Sequence, residues 1–230
     1  MKKKILAIGA HSDDIEYYSG GTLIKWKTHN EITILVATDG RFNGNPSIRK
    51  KEQDNASFMM GAYKTIFLDY PDLGLEKEKQ KLNRDLLRIV LQMKPDIIFS
   101  FDPENQFHLH SDFHPDHRTL SLVVIDLVFL YSTLSSYIKR LRIYEKPLSK
   151  RPELWLFDPY KANHIEDISS YWNIKLRLLQ NFKTQKLNLF EVKSMASEFG
   201  KIIGVHWAEG FYKVDFCSKI DFGDYNRETL

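Results

Sequence analysis

The chain has one cysteine, Cys217, in 230 residues. No intramolecular disulfide can form, so a buried core must hold the fold, and a reducing cytoplasm suits such a chain. Long apolar runs are missing too. The most apolar helical stretch, residues 120–130, is broken by Ser121 and Asp126 and falls short of the roughly 20 residues that span a bilayer. It reads as a core helix, and no integral membrane segment is expected. The short apolar stretch after Lys2-Lys3-Lys4 meets His11, Asp13 and Asp14 too soon for a secretory signal. Strong charge of either sign is also absent. A formal net charge of +3, with no aromatic-basic motif, argues against a nucleic-acid partner. No internal repeat, low-complexity tract or linker divides the chain, and 43% hydrophobic residues over this length suit one α/β domain spanning residues 1–230.

Apolar runs bounded by polar turns predict buried parallel strands over residues 4–10, 32–37, 65–69, 96–101 and 153–157. Helical spacing predicts helices between them, over residues 20–29, 47–61, 79–94 and 114–131. Gly61 stops the second, Pro95 ends the third, and Pro115 sits in the first turn of the fourth. Strand and helix in alternation imply a Rossmann-like, mostly parallel, doubly wound sheet with helices on both faces. Beyond residue 138 the pattern loosens. One or two helices are expected over residues 171–190, and a last strand or loop over 204–214.

In such a sheet ligands sit at the carboxyl ends of the strands, and two polar clusters follow strands here. The first is His11-Ser12-Asp13-Asp14-Ile15-Glu16. Three carboxylates and an imidazole in six residues make a poor core and a good cage for a divalent cation; a capped polar turn is the plainer alternative. Gly20 and Gly21 behind it read as places where backbone approaches a ligand. The second cluster runs from residue 101 to 117, where four of the eight histidines (His108, His110, His114 and His117) fall within ten residues. His114 and His117 share a helix face at a spacing of three. Imidazole and carboxylate are the usual ligands of catalytic zinc, which keeps one position open for water, and a spare carboxylate beside it serves as general base. A two-metal phosphoesterase and a non-catalytic sugar- or nucleotide-binding module remain open on these residues alone.

The opening His11-Ser12-Asp13-Asp14-Ile15-Glu16, with Gly20-Gly21-Thr22, resembles the AHPDD-type opening of the PIG-L/LmbE family of N-acetylglucosaminyl deacetylases. His114-Pro115-Asp116-His117 is similar to that family's HPDH motif. Arg49 and Glu52, with Ala56 and Gly61, resemble its R-x-x-E helix, and Ala208-Glu209-Gly210-Phe211 its AE-x-F segment. Ser12 stands where the family usually has proline. The resemblance covers residues 4–214. It implies His11, Asp14 and His117 as metal ligands, holding Zn2+, or Fe2+ or another divalent ion. Asp13 is then the general base for the attacking water, and His114 steadies the oxyanion or helps protonate the amine. Asp116 orients a histidine, and Arg49 and His206 reach the substrate, a small amino sugar that loses an N-acetyl group. Family members are often homo-oligomers.

Other features carry less. The basic segment of residues 139–151 reads as a solvated charge run, with an anionic substrate or membrane as its sharper alternative. His108 and His110 read as loop residues that also suit a substrate loop. Substrate choice is expected in the loops of residues 41–48, 103–113 and 138–165.

Overall fold

The computed structural model describes residues 2–105 and 114–214; His108, His110 and Cys217 lie outside them. The first half alternates β1 (Lys3–Gly9), α1 (Asp14–Trp26), β2 (Asn30–Thr38), α2 (Pro46–Met60), β3 (Lys64–Tyr70), α3 (Lys79–Met93), β4 (Ile97–Phe101) and α4 (Pro115–Asp126). The second half adds α5 (Ser135–Arg140), β5 (Glu153–Phe157), β6 (His164–Asp167), α6 (Trp172–Leu179), α7 (Leu189–Ile203) and β7 (Ala208–Val214). The seven strands form one sheet in the order β3-β2-β1-β4-β5-β7-β6. β3, β2, β1, β4 and β5 run parallel, β7 is antiparallel to β5, and β6 is antiparallel to β7.

The chain walks outward from β1 through β2 to β3, then crosses back to place β4 on the other side of β1. That reversal puts the helices into two groups: α1, α2 and α6 contact one another, and α3 packs on α4. With both faces covered, Ile5, Leu6, Ala7 and Ile8 of β1 are at most 1% exposed, as the uninterrupted apolar run requires. The strand order reverses between β1 and β4, and the crevice outside their carboxyl ends is where this architecture binds ligands.

Several sequence expectations need correction. α1 begins at Asp14 rather than residue 20, because its first turns bury Asp14, Glu16 and Ser19, polar residues that break the apolar period. Gly20 and Gly21 lie inside that helix and face protein, not ligand. A Cβ on Gly20 would meet Leu178, and one on Gly21 would meet Ile168 and Glu209. The helix expected to reach residue 131 changes at residue 127 into a π-helical turn, Leu127–Tyr131. The helix α7 and the short β6 have no counterpart among the expected elements. The basic Lys146, Lys150 and Arg151 gather with Lys94 and Asp96, before β4 and β5 begin. Those three residues therefore lie at the sheet edge opposite the β1–β4 crevice. Among the described residues no helix is long and apolar enough to cross a membrane.

Candidate metal and catalytic site

The first cluster sits on a turn pinned from two sides. Thr38 donates its backbone N–H and its hydroxyl to the Ala10 carbonyl, both at 2.8 Å, tying the end of β1 to β2. The turn then folds back on β1 so tightly that a Cβ on Gly9 would approach Asp14 Cβ to 3.1 Å. The His11 N–H donates to Asp14 Oδ2 at 2.7 Å. Asp13 is left with φ 102° and ψ −28°, a backbone region that costs a non-glycine residue about 1–3 kcal/mol and persists only where neighbours enforce it. They do: Asp13 N–H donates to Gln53 Oε1 at 3.3 Å, and Arg49 Nη2 donates to the Ser12 carbonyl at 2.9 Å.

The second cluster opens α4. His114 is its N-cap, accepting the Asp116 N–H at Nδ1 (3.2 Å), and Pro115 occupies the first turn. His117 lies one turn on, with its ring stacked on Phe101 at the end of β4, centroids 4.0 Å apart.

The two clusters meet. His11 Nδ1 is 3.2 Å from His117 Nε2, His117 Nε2 is 3.3 Å from Asp14 Oδ1, and His11 Nδ1 is 3.7 Å from Asp14 Oδ2. Donors about 2.0–2.1 Å from a tetrahedral ion lie about 3.3 Å from one another; the His11–His117 and His117–Asp14 Oδ1 spacings match that, while His11 approaches the other Asp14 oxygen. Two further donor groups, with one atom per residue and all within 4.8 Å of one another, are His11, His114 and His117, and His11, Asp72, His114 and Asp116. Asp116 accepts the backbone N–H groups of Leu73 (2.7 Å) and Leu75 (3.1 Å), one on each oxygen. His114 likewise uses one ring nitrogen as a cap.

His11 Nε2 is 3.0 Å from Asp72 Oδ1 but 3.7 Å from Asp116 Oδ2. A proton on Nε2 shared with Asp72 leaves the Nδ1 lone pair facing His117 and Asp14, the arrangement that orients ligating histidines. Asp72, in the turn after β3, is a site residue that sequence reasoning missed. It is a lone carboxylate arriving from 61 residues away, with no local motif to mark it. Asp116 anchors the turn that carries Asp72, and its Oδ2 also faces His11 Nε2 at 3.7 Å.

Burial penalises the charge on Asp14, but His117 and His11 outweigh it and hold the carboxyl well below its usual range. Burial also opposes a charge on His11, and the carboxylates Asp116, Asp14 and Asp72 reverse that, raising it well above an ordinary histidine. Asp13 goes the other way. Burial, then the Asp14 charge, push its carboxyl well above the usual range, with Arg49 pulling against them. For His114, burial followed by His11 and His117 lowers the pKa, which favours the neutral ring; with Nδ1 accepting the Asp116 N–H, that neutral ring carries its proton on Nε2.

Arg49 is 4% exposed. It donates Nη1 to the Gly40 carbonyl at 3.1 Å, and its Nη2 lies 3.8 Å from Asp13 Oδ2. A Cβ on Gly40 would collide with that guanidinium, and Gly40 also takes φ 62°, so a glycine is needed over the arginine. Beneath Asp13, Gln53 donates to Glu16 Oε1 at 2.5 Å, and burial pushes the Glu16 carboxyl up to about 7. Glu209, from the late motif, accepts the N–H groups of Gly21 (2.9 Å) and Thr22 (2.8 Å) inside α1. Lys175 pairs with it at 2.5 Å and donates to the Tyr17 carbonyl at 2.7 Å. This buried pair stitches α1 to α6 and β7. His206 is exposed just before β7.

Comparison with known proteins identifies the family. Residues 6–128 match the profile of the PIG-L family, described as GlcNAc-PI de-N-acetylase. A diacetylchitobiose deacetylase of Thermococcus kodakarensis is 26% identical over 225 residues, covering 90% of this chain and 82% of its own length. A Bacillus cereus protein named "Probable N-acetyl-alpha-D-glucosaminyl L-malate deacetylase 2" is 27% identical over 206 residues, covering 83% of this chain and 87% of its own. The structure of the N,N'-diacetylchitobiose deacetylase of Pyrococcus horikoshii superposes with a TM-score of 0.83 at 26% identity, over 92% of this chain and 84% of that one.

Proposed function

Since the chain belongs to the PIG-L family of de-N-acetylases, we propose that it is a zinc-dependent hydrolase that removes the N-acetyl group of a small amino sugar. The observation that carries this reading is the convergence of His11, Asp14 and His117 within 3.7 Å, beside an aspartate that is not part of the triangle. The fit to a cation rests on the donor set: two imidazole nitrogens and a carboxylate at coordination spacing, with Asp72 turning one imidazole toward the other two donors. We assign zinc; ferrous iron suits the same ligands, and the metal content of the purified protein decides between them.

When bound there, the cation supplies Lewis acidity that acidifies water and polarises the amide carbonyl. The chain's own groups do the rest. Asp13, raised by burial and by Asp14, takes the proton of the attacking water and returns it to the leaving nitrogen; such an acid–base group is worth about 10²- to 10⁴-fold. The neutral His114 presents Nε2–H to the carbonyl oxygen as it becomes an oxyanion. Arg49 holds the strained Asp13 turn by its bond to the Ser12 carbonyl and lies next to the Asp13 carboxylate, so it acts on the base more directly than on substrate. His206 takes no part in this mechanism.

A two-metal phosphoesterase needs further carboxylates to bridge a second ion, and the obvious one, Asp116, is committed to backbone N–H groups. The deciding experiment measures free amine released from a panel of N-acetylated amino sugars (free, glycoside-linked and nucleotide-linked) by zinc-loaded protein and by a chelator-treated control. Release that chelation abolishes is the expected result. Metal-loaded protein that releases no amine from any of them overturns the assignment.

A further inference from the structure

A cavity of about 200 Å³ lies between α7, the first turns of α1 and the segment that follows β5. None of the residues assigned to the mechanism lines it. Three features define its chemistry. Aromatic rings form its walls: Tyr18, Tyr160 and Phe199. Phe199 lies against the β7 backbone at Gly210, where a side chain would push the ring aside. A carboxylate, Asp158, projects from the residue directly after β5 in a left-handed conformation, φ 50°, which aspartate tolerates better than most residues. The remaining charges are mostly acidic. Glu198 and Glu209 line the cavity, and Lys175, its one cation among the described residues, is paired with Glu209.

The cavity adjoins the proposed reaction centre. Tyr18 stacks face to face on Phe157 with centroids 5.5 Å apart and meets the edge of Phe101 at 5.8 Å, and Phe101 in turn stacks on His117. One ring, Phe101, therefore separates the cavity wall from the metal triangle. Asp158 also feels the charge of Asp14.

We propose that this cavity is a subsite for a second sugar ring, linked to the ring that loses its acetyl group; the idea rests on the amino-sugar reading above. Aromatic walls suit the apolar face of a pyranose, and the half-buried Asp158 carboxylate is a strong acceptor for its hydroxyls. Burial pushes the Asp158 carboxyl up to about 7, so near neutral pH it donates as well as accepts. Acidic residues around a lysine that is already paired disfavour a phosphate, and with it a nucleotide-linked sugar, at this position.

The test is a calorimetric titration of the metal-loaded protein with chitobiose and with glucosamine, neither of which has an acetyl group to lose. Wild type is expected to bind chitobiose at least tenfold more tightly than glucosamine. Two variants probe the cavity. Asp158→Asn keeps the shape and tolerates the positive φ, and Met195→Trp fills the space from α7. Each is expected to erase the chitobiose advantage while leaving glucosamine affinity within about twofold. Equal affinities in wild type, or an advantage that survives both substitutions, overturns the proposal. So does octyl glucoside binding more tightly than chitobiose, which would assign the cavity to an apolar aglycone. Amine release from N-acetylglucosamine, followed in parallel, separates the two readings. Release without any disaccharide advantage removes the subsite alone, and a cavity-dependent advantage without release removes the deacetylase reading alone.

Discussion

Asp72→Asn changes one atom beside the metal triangle and tests how His11 is held. In the native protein Asp72 Oδ1 faces His11 Nε2 at 3.0 Å, and Oδ2 accepts the Phe42 N–H at 3.1 Å. Both contacts treat the side chain as an acceptor. An asparagine has one acceptor oxygen, and the Phe42 N–H claims it, which turns the amide NH2 toward His11. Nε2 must then accept, and the proton moves to Nδ1, the atom facing His117 Nε2 at 3.2 Å. That tautomer has no lone pair to offer in the triangle. Asp116 Oδ2 stands farther off, 3.7 Å from Nε2, and already accepts the Leu73 N–H. Loss of such an orienting partner typically costs about 10- to 100-fold in metal affinity, or about 1.4–2.7 kcal/mol. The assay is competition for Zn2+ against a chromogenic chelator, with thermal unfolding of the metal-free protein as a control for folding. Zinc affinity within twofold of wild type, in a folded variant, would refute the view that Asp72 sets the His11 tautomer.

Asp13→Ala should keep its metal and lose about 10²- to 10⁴-fold in turnover; loss of zinc instead would exchange the roles of Asp13 and Asp14. Lys175→Met strands the Glu209 carboxylate at 3% exposure and should cost about 3–5 kcal/mol in urea unfolding. Adding Glu209→Gln should then cost less than the sum of the two single changes, and strict additivity would mean that the pair is not coupled. Asp158, raised by burial to about 7, keeps in the folded state a proton that the unfolded chain releases near pH 4. Its contribution to stability is therefore lost as pH rises from about 4 to 7, by at most about 4 kcal/mol. Asp158→Asn should flatten that part of the stability–pH curve, and an unchanged slope would contradict the assigned burial.

Features that are local in the chain are legible in the order of its residues. The five parallel strands announce themselves as apolar runs, because strands covered on both faces have no polar side to show. The limits of α3 are readable nearly to the residue, since its apolar stripe is regular and Pro95 follows it. The clusters at residues 11–16 and 114–117 stand out because each crowds ionisable groups into a few positions. The doubly wound order then brings both to one sheet edge.

Where a function is assembled from single residues far apart, no window of sequence reveals it. Asp72 is one carboxylate in a turn, and only the parallel register of β3, β2 and β1 carries it to His11. Gln53 looks like any helix residue until α2 is laid beneath the Asp13 turn. Gly20 and Gly21 suggest a ligand, yet they are small because Leu178, Ile168 and Glu209 press against α1. The start of α1 is hidden for a related reason, since polar residues with buried partners break the amphipathic period that normally marks a helix. The amino-acid order thus set the elements and the chemistry of each cluster. Tertiary structure chose the partners, because hydrogen bonds and burial depend on distances that only folding creates.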